Sequence, residues 1–283
     1  MKICIHLHLF YTEMLEEMLK HIDNFSDNKD IEYDLYVTLC EHNEAIENKI
    51  YAFKDNAQVI IVPNRGYDLA PFLRVSKMIN LDDYDYIIKL HSKRDLTSPA
   101  YLPTCRFKRN KWRLKLLEFM STPKHIRLTL KRFAKNPDIG MISSPELIIS
   151  AQKEDSVANA RAERIMRGMG LQIKNHKFVA GTMFIARAKL FRMWQMLPYD
   201  AMDFEEFDVS HKGGTLAHAL ERVLGYMIGA QGYKISSYRK NKIYFYLKVA
   251  LYKLRNFVFY KRVNSKNKLH IKICKIPVYS KQL

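Results

Sequence analysis

Acidic residues stop at Glu221. Beyond it the chain carries none, against 15 Lys and Arg, so most of the formal charge of +18 belongs to this last stretch. The first 221 residues set 32 Lys and Arg against 29 Asp and Glu and are nearly balanced. A uniformly basic protein is therefore excluded, and an anionic surface is the partner expected for the tail alone. Cysteine is scarce as well: Cys4, Cys40, Cys105 and Cys274 lie far apart. No pair has the spacing of a metal knuckle or a redox motif, so they read as reduced thiols of a cytosolic protein. Long apolar runs are missing too. No stretch reaches the roughly 18–20 uninterrupted apolar residues that span a bilayer. The apolar start, Ile3 to Phe10, is short and carries His6 and His8, so it does not read as a secretory leader. There is no internal repeat.

What is present is an alternation of strand and helix signals. Apolar runs at Ile3–Phe10, Tyr33–Leu39, Val59–Val62 and Asp85–Leu90 read as strands. Helical spacing over Thr12–Ile22, His42–Phe53 and Asp68–Ile79 separates them. This order predicts an α/β fold with a mostly parallel sheet covered by helices. Residues 101–134 read as basic and helical. Strands are expected at Ile139–Ile142, Phe178–Arg187 and Tyr233–Ser236, and helices at Ala151–Gly168, Ala188–Leu197 and Leu216–Ala230. Thr215 suits the N-cap of the last helix, and Gly232 its end. After Tyr238 the composition changes. Residues 242–262 interleave aromatics with Lys and Arg, and Leu269–Tyr279 alternates like a strand. The division expected is a catalytic domain over residues 1–238 and a basic aromatic segment over 239–283.

Two strand ends carry the chemistry. Val59–Val62 opens into Asn64-Arg65-Gly66-Tyr67-Asp68, and Tyr86–Leu90 ends in His91-Ser92-Lys93-Arg94-Asp95. Ligands of open α/β sheets bind at the carboxyl ends of strands. Asn64 and Gly66 suit a tight turn that approaches a ligand closely. Asp68 either accepts from a sugar or ribose hydroxyl or caps its own helix. An Asp-x-Asp, the usual divalent-metal ligand of α/β nucleotide-sugar transferases, is absent from the second strand end. His91 and Lys93 are poor Mg²⁺ ligands but suit a diphosphate directly, with Arg94 beside them. A metal-independent donor site needing no cofactor is the expectation. His218, Glu221 and Arg222 share one face of a helix. Glu221 is the candidate base for an acceptor hydroxyl and His218 the second candidate. The blander reading of Glu221 is a helix salt bridge with an Arg. His6 and His8 alternate along a strand, so both point to one face, toward a nucleotide or simply into the sheet top.

The blocks Ile5–Tyr11, Asn64–Phe72, Tyr86–Lys93, Lys111-Trp112-Arg113, Gly140-Met141-Ile142, Ala180–Phe184 and His218–Arg222 resemble, in order, those of the rhamnan synthesis protein F family. The resemblance covers roughly residues 3–236. It implies a GT-A-like fold and a glycosyltransferase of bacterial surface polysaccharides, with rhamnose from dTDP-rhamnose the leading donor. It also implies a polyprenyl-diphosphate-linked glycan as acceptor, which places the protein at the inner face of the cytoplasmic membrane. The Asn64 block is similar to the Asn-x-Gly turn of family 2 rhamnosyltransferases. Those carry an acidic pair on a late helix, where this chain has His218 and Glu221. On this reading His6, His8, Asn64, Arg65, Gly66, Asp68, His91, Ser92 and Lys93 line the donor side. Gly181, Thr182 and Arg222 lie on the acceptor side. Residues 242–262 would rest on an anionic membrane, aromatics inward. No nucleic-acid partner is expected. The competing readings are a basic nucleic-acid-binding module and a non-catalytic scaffold of a polysaccharide-assembly complex.

Overall fold

The computed structural model describes residues 1–28, 30–151, 156–206, 214–239, 243–263, 268–274 and 276–282. The first half alternates strand and helix: β1 (Lys2–His8), α1 (Leu15–Asp23), β2 (Glu32–Leu39), α2 (Glu44–Phe53), β3 (Gln58–Ile61), α3 (Leu69–Met78) and β4 (Tyr86–His91). Each strand follows an aliphatic run, and in β1 and β4 almost every residue is buried, as for strands covered on both faces. Next come β5 (Leu96–Leu102), β6 (Cys105–Arg109), α4 (Lys111–Leu116), α5 (Pro123–Lys135), β7 (Ile139–Ser143), β8 (Ile148–Ser150) and α6 (Ser156–Gly168). The remainder is β9 (Lys177–Val179), β10 (Phe184–Arg187), α7 (Arg192–Gln195), α8 (Leu216–Ala230), β11 (Lys234–Ser237), α9 (Ile243–Val258), β12 (Phe259–Val263), β13 (Lys268–Ile273) and β14 (Ile276–Gln282).

Seven strands form the central sheet in the order β11-β7-β10-β4-β1-β2-β3. All run the same way except β10, which is antiparallel to both β4 and β7. The expected α/β fold with a mostly parallel sheet and flanking helices is the one observed. Strand order reverses at β1, with β2 and β3 on one side and β4 on the other. The carboxyl ends of β1 and β4 thus flank a topological switch point. Their register sets His6 beside Lys89 and His8 beside His91. With period-2 alternation, these four side chains share one face of the sheet. Phe72 of α3 packs over that face, its ring 5.7 Å from His6 and 6.1 Å from Phe184.

Two elements settle the approach to the switch point. Helix α8 is buried along nearly its whole length. It lies close on β9, because a Cβ at Gly225 would sit 2.3 Å from the Lys177 carbonyl oxygen. Thr215 caps it, accepting from the His218 N–H at 3.3 Å, and Gly232 stands just past its end at φ 86°. The Asn64 turn is fixed by Gly66, at φ 68°, where a Cβ would lie 2.3 Å from the Phe204 ring. Only glycine fits there without moving that ring.

Three expectations are corrected. Residues 101–134 are not helical throughout: β5 and β6 pair as an antiparallel hairpin before α4 begins. The cations of this stretch alternate along a ribbon, a period that charge content does not reveal. Phe178–Arg187 is not one strand. Gly181 (φ 79°) and Thr182 (φ 50°) turn the chain between β9, which pairs with β8, and β10 of the main sheet. Leu269–Tyr279 is two strands, since the chain turns between β13 and β14, where Cys274 has φ 46°. β13 lies between β12 and β14 and pairs with both in a separate antiparallel sheet. Lys242, the first residue of the basic aromatic stretch, lies outside the described residues. Among the described residues no helix is long and apolar enough to cross a membrane.

Candidate functional site

The centre is Lys89, on β4 and wholly buried. A lysine in a dry interior requires a partner, and it has two. Its ammonium donates to Asp68 Oδ2 and, at 2.8 Å, to Thr182 Oγ1. The Thr182 hydroxyl in turn donates to the same Asp68 oxygen. Asp68 stands at the start of α3 but its side chain caps nothing there. The turn thus spends this carboxylate on the strand lysine rather than on its own helix. Burial by itself raises the Asp68 carboxyl. The neighbouring His91, once protonated in acid, and Lys89, with hydrogen bonds from Lys89 and Thr182, outweigh it and hold the group well below the usual carboxylate range. Burial lowers Lys89, opposed by Asp68 and Glu221. Thr182 holds its place at φ 50°, a conformation uncommon for a β-branched residue. Such strain persists where surroundings over-determine it, as at many functional sites.

Glu221 lies across from this pair, one turn into α8. Its Oε1 accepts from the Gly181 N–H at 2.8 Å. Burial pushes its carboxyl up, against the pull of that N–H, Arg222 and Lys89. His218, one turn earlier, meets the Thr215 hydroxyl through Nδ1 and turns its ring edge to Tyr67, 5.8 Å away. Arg222 donates to the His218 carbonyl at 2.7 Å and packs over the Phe178 ring.

The three histidines of the sheet face are buried. His91 Nδ1 is 3.5 Å from Asp68 Oδ2, yet burial lowers the ring to about 3. It is neutral at physiological pH and forms no ion pair. Burial lowers His8 to about 4 and, with Lys89 nearby, lowers His6 as well. His6 Nε2 and His8 Nδ1 each lie 3.0 Å from one hydroxyl, Thr38 Oγ1 on β2. Ser92 accepts from the Tyr11 N–H at 2.7 Å, and its own N–H donates to the His8 carbonyl at 2.9 Å, tying the two strand ends together.

The structure therefore gathers His6, His8, Asp68, His91, Thr182 and Glu221 about the switch point, with Gly66, Gly181 and Ser92 shaping the backbone. The other residues are engaged elsewhere or lie at the margin. Arg65 reaches the Phe204 carbonyl at 3.1 Å and pairs with Glu206. Arg94 pairs with Glu13 and stacks on Tyr11. Asn64 is exposed, and Lys93 is half-buried beside the site. Among the described residues no group of three His, Cys, Asp or Glu is placed to hold a metal ion. Sequence reasoning missed Lys89, which looked like a cation on an ordinary strand. The available signal was its register: two residues before His91, in a run otherwise fit for a central strand.

A mostly parallel α/β sheet, with one antiparallel strand and a buried polar centre at its switch point, defines an open, helix-flanked α/β protein. The chain belongs to the family described as Rhamnan synthesis protein F, whose profile matches residues 1–233. It is similar to WxcX of Xanthomonas campestris pv. campestris (strain B100), 27% identical over 243 residues, covering 83% of this chain and 32% of that protein. A second strain, ATCC 33913, has a WxcX with the same identity and coverage. The chain thus spans about a third of the length of the curated relatives it matches. Among solved structures it overlaps loosely with glucosyl-3-phosphoglycerate synthase from Mycobacterium tuberculosis, in complex with Mn²⁺, UDP and glucosyl-3-phosphoglycerate. That overlap has 13% identity and a TM-score of 0.41, over 99% of this chain and 89% of that one.

Proposed function

We propose that the chain is a glycosyltransferase that moves a sugar from a nucleotide donor to a glycan acceptor in surface-polysaccharide synthesis. The observation that carries the reading is the Glu221 carboxylate. It is half-buried, its proton affinity is raised, one oxygen is fixed by the Gly181 N–H, and it stands beside the Asp68–Lys89–Thr182 group. A base with raised affinity is suited to take the proton of an acceptor hydroxyl. In the proposed step that hydroxyl oxygen bonds to the sugar C1 while Glu221 receives its proton. The bond from C1 to the diphosphate breaks, and the nucleoside diphosphate leaves with the electron pair. Asp68, held in position by Lys89, is available to orient sugar hydroxyls at the end of β3. Lys93, at the end of β4, supplies positive charge for the diphosphate, in the metal-independent reaction proposed. Family membership favours L-rhamnose from dTDP-rhamnose as donor and a lipid-linked glycan as acceptor.

Glu221→Gln keeps the acceptor for the Gly181 N–H and removes the base. Turnover of the cognate sugar nucleotide should fall by about 10²–10⁴, while nucleotide-dependent thermal stabilisation persists. Wild-type turnover by this variant removes Glu221 from the mechanism. Turnover should also survive EDTA, and a strict requirement for Mg²⁺ or Mn²⁺ would overturn the metal-free reading. A thermal-shift panel of dTDP-, UDP- and GDP-sugars identifies the donor. Absence of any shift would favour the scaffold reading.

A further inference from the structure

Helix α9 carries a half-buried stripe and an exposed apolar stripe on opposite faces. Phe245, Val249, Tyr252 and Asn256, spaced four, three and four, are half-buried. Leu247, Leu251, Leu254 and Val258 repeat the same spacing and face outward, with exposures of 57%, 65%, 59% and 48%. At 3.6 residues per turn each set falls on one line along the helix. An outward line of aliphatic side chains over about three turns marks an interaction surface rather than scattered surface leucines. Lys248 and Arg255 lie along one edge of it, and Lys253 with Tyr246 and Phe257 along the other. On β14, Ile276 and Val278 are exposed as well, at 65% and 52%.

From this geometry we infer that the outer stripe of α9 docks on an anionic lipid surface, with the helix lying in the interface plane. Its 16 residues extend about 24 Å, and with its cations it does not meet the requirements of a spanning helix. The aliphatic line faces the acyl region, the cations on both edges face headgroups, and Tyr246 and Phe257 sit at the boundary. Charge selects this occupant over a second copy of the chain. From Arg222 to the end the sequence holds no carboxylate side chain, so two such faces, each presenting Lys253 and Arg255, would oppose like charges if brought together. The arrangement also reverses part of the sequence expectation: Phe245 and Tyr252 are turned to the packed side, and leucines rather than aromatics lead outward. This surface is independent of the sugar-transfer reading, since docking is measured without turnover.

The test is flotation of the full chain with vesicles of mixed phosphatidylglycerol and phosphatidylcholine, beside vesicles of phosphatidylcholine alone. Wild-type protein should float with the anionic vesicles and far less with the neutral ones. Leu251→Gln with Leu254→Gln should lower the bound fraction by about tenfold or more, with circular dichroism and nucleotide thermal shifts unchanged. Lys253→Glu with Arg255→Glu should abolish the preference for anionic vesicles. The inference falls if wild-type protein stays at the bottom of the gradient. It falls equally if both double variants float like wild type. A dimer in sedimentation that the leucine variant dissolves, without vesicle binding, would make the stripe a seam between copies and overturn the lipid assignment.

Discussion

Lysine serves two opposite ends in this molecule. Lys89 lies in the dry interior of the sheet, and its charge is answered within the fold by Asp68 and Thr182. Lys253 and Arg255 of α9 stand exposed to water beside exposed leucines, in a stretch of sequence without acidic residues. In the interior, charge specifies geometry: it fixes which way a carboxylate and a hydroxyl point. In the tail, charge specifies location. The contrast follows from dielectric, because an unpaired charge is costly when buried and nearly free when solvated.

The sharpest way to break this contrast is Lys89→Met. It leaves Asp68 without its counter-charge inside the protein, and should lower the unfolding free energy by about 3–5 kcal/mol, measured in urea. Adding Asp68→Asn removes the stranded charge, so the double variant should regain much of the loss. A double variant no more stable than the single one would mean that packing, not charge, sets the role of Lys89.

A smaller effect is acid lability of the same centre. His8 and His91 are lowered from 6.5 to about 4 and about 3, so the folded protein binds fewer protons than the unfolded chain. Their contribution is fully present above 6.5 and is lost as pH falls from 6.5 through about 4. Near pH 5 the loss should be on the order of 2 kcal/mol per histidine, seen as a fall in the urea midpoint. Glu221 has the opposite sign. With its carboxyl raised, its contribution is present below the unfolded value of 4.5 and is lost as pH rises through the folded one. A midpoint unchanged between pH 7 and pH 5 would place the imidazoles in water.

The smallest expected effect is the other half of the comparison. Lys253→Glu with Arg255→Glu, in the absence of vesicles, should change stability by no more than about 0.5 kcal/mol. A larger change would mean that the fold itself uses these cations.

The sheet was legible in the sequence because strand and helix periods alternate cleanly from β1 to β4 and again at α8, whose ends are marked by Thr215 and Gly232. The hairpin β5–β6 was not, since its cations mask the alternation. The turn at Gly181-Thr182 was not either, because threonine favours extended backbone and gives no sign of φ 50°. Of the candidate site, Asp68, His91 and Glu221 could be named from strand ends and a helix face. Lys89 was missed, because its only signal was its place two residues before His91 on a central strand, and no local motif marks it. The partners of Arg65 and Arg94 were equally out of reach, since Glu206 and Glu13 are distant in sequence.

The hydroxyl of Thr38 carries one proton, yet it stands between two imidazole nitrogens, His6 Nε2 and His8 Nδ1, both at 3.0 Å. It can donate to only one of them, so the two nitrogens cannot both be bare. The two neutral histidines therefore do not choose their tautomers independently. If His6 Nε2 is bare and accepts, His8 must carry its proton on Nδ1. If His8 Nδ1 is bare instead, His6 must carry its proton on Nε2. One side chain on a neighbouring strand thus couples the pair, and whatever biases the tautomer of His8 at the rim is felt by His6 beneath it.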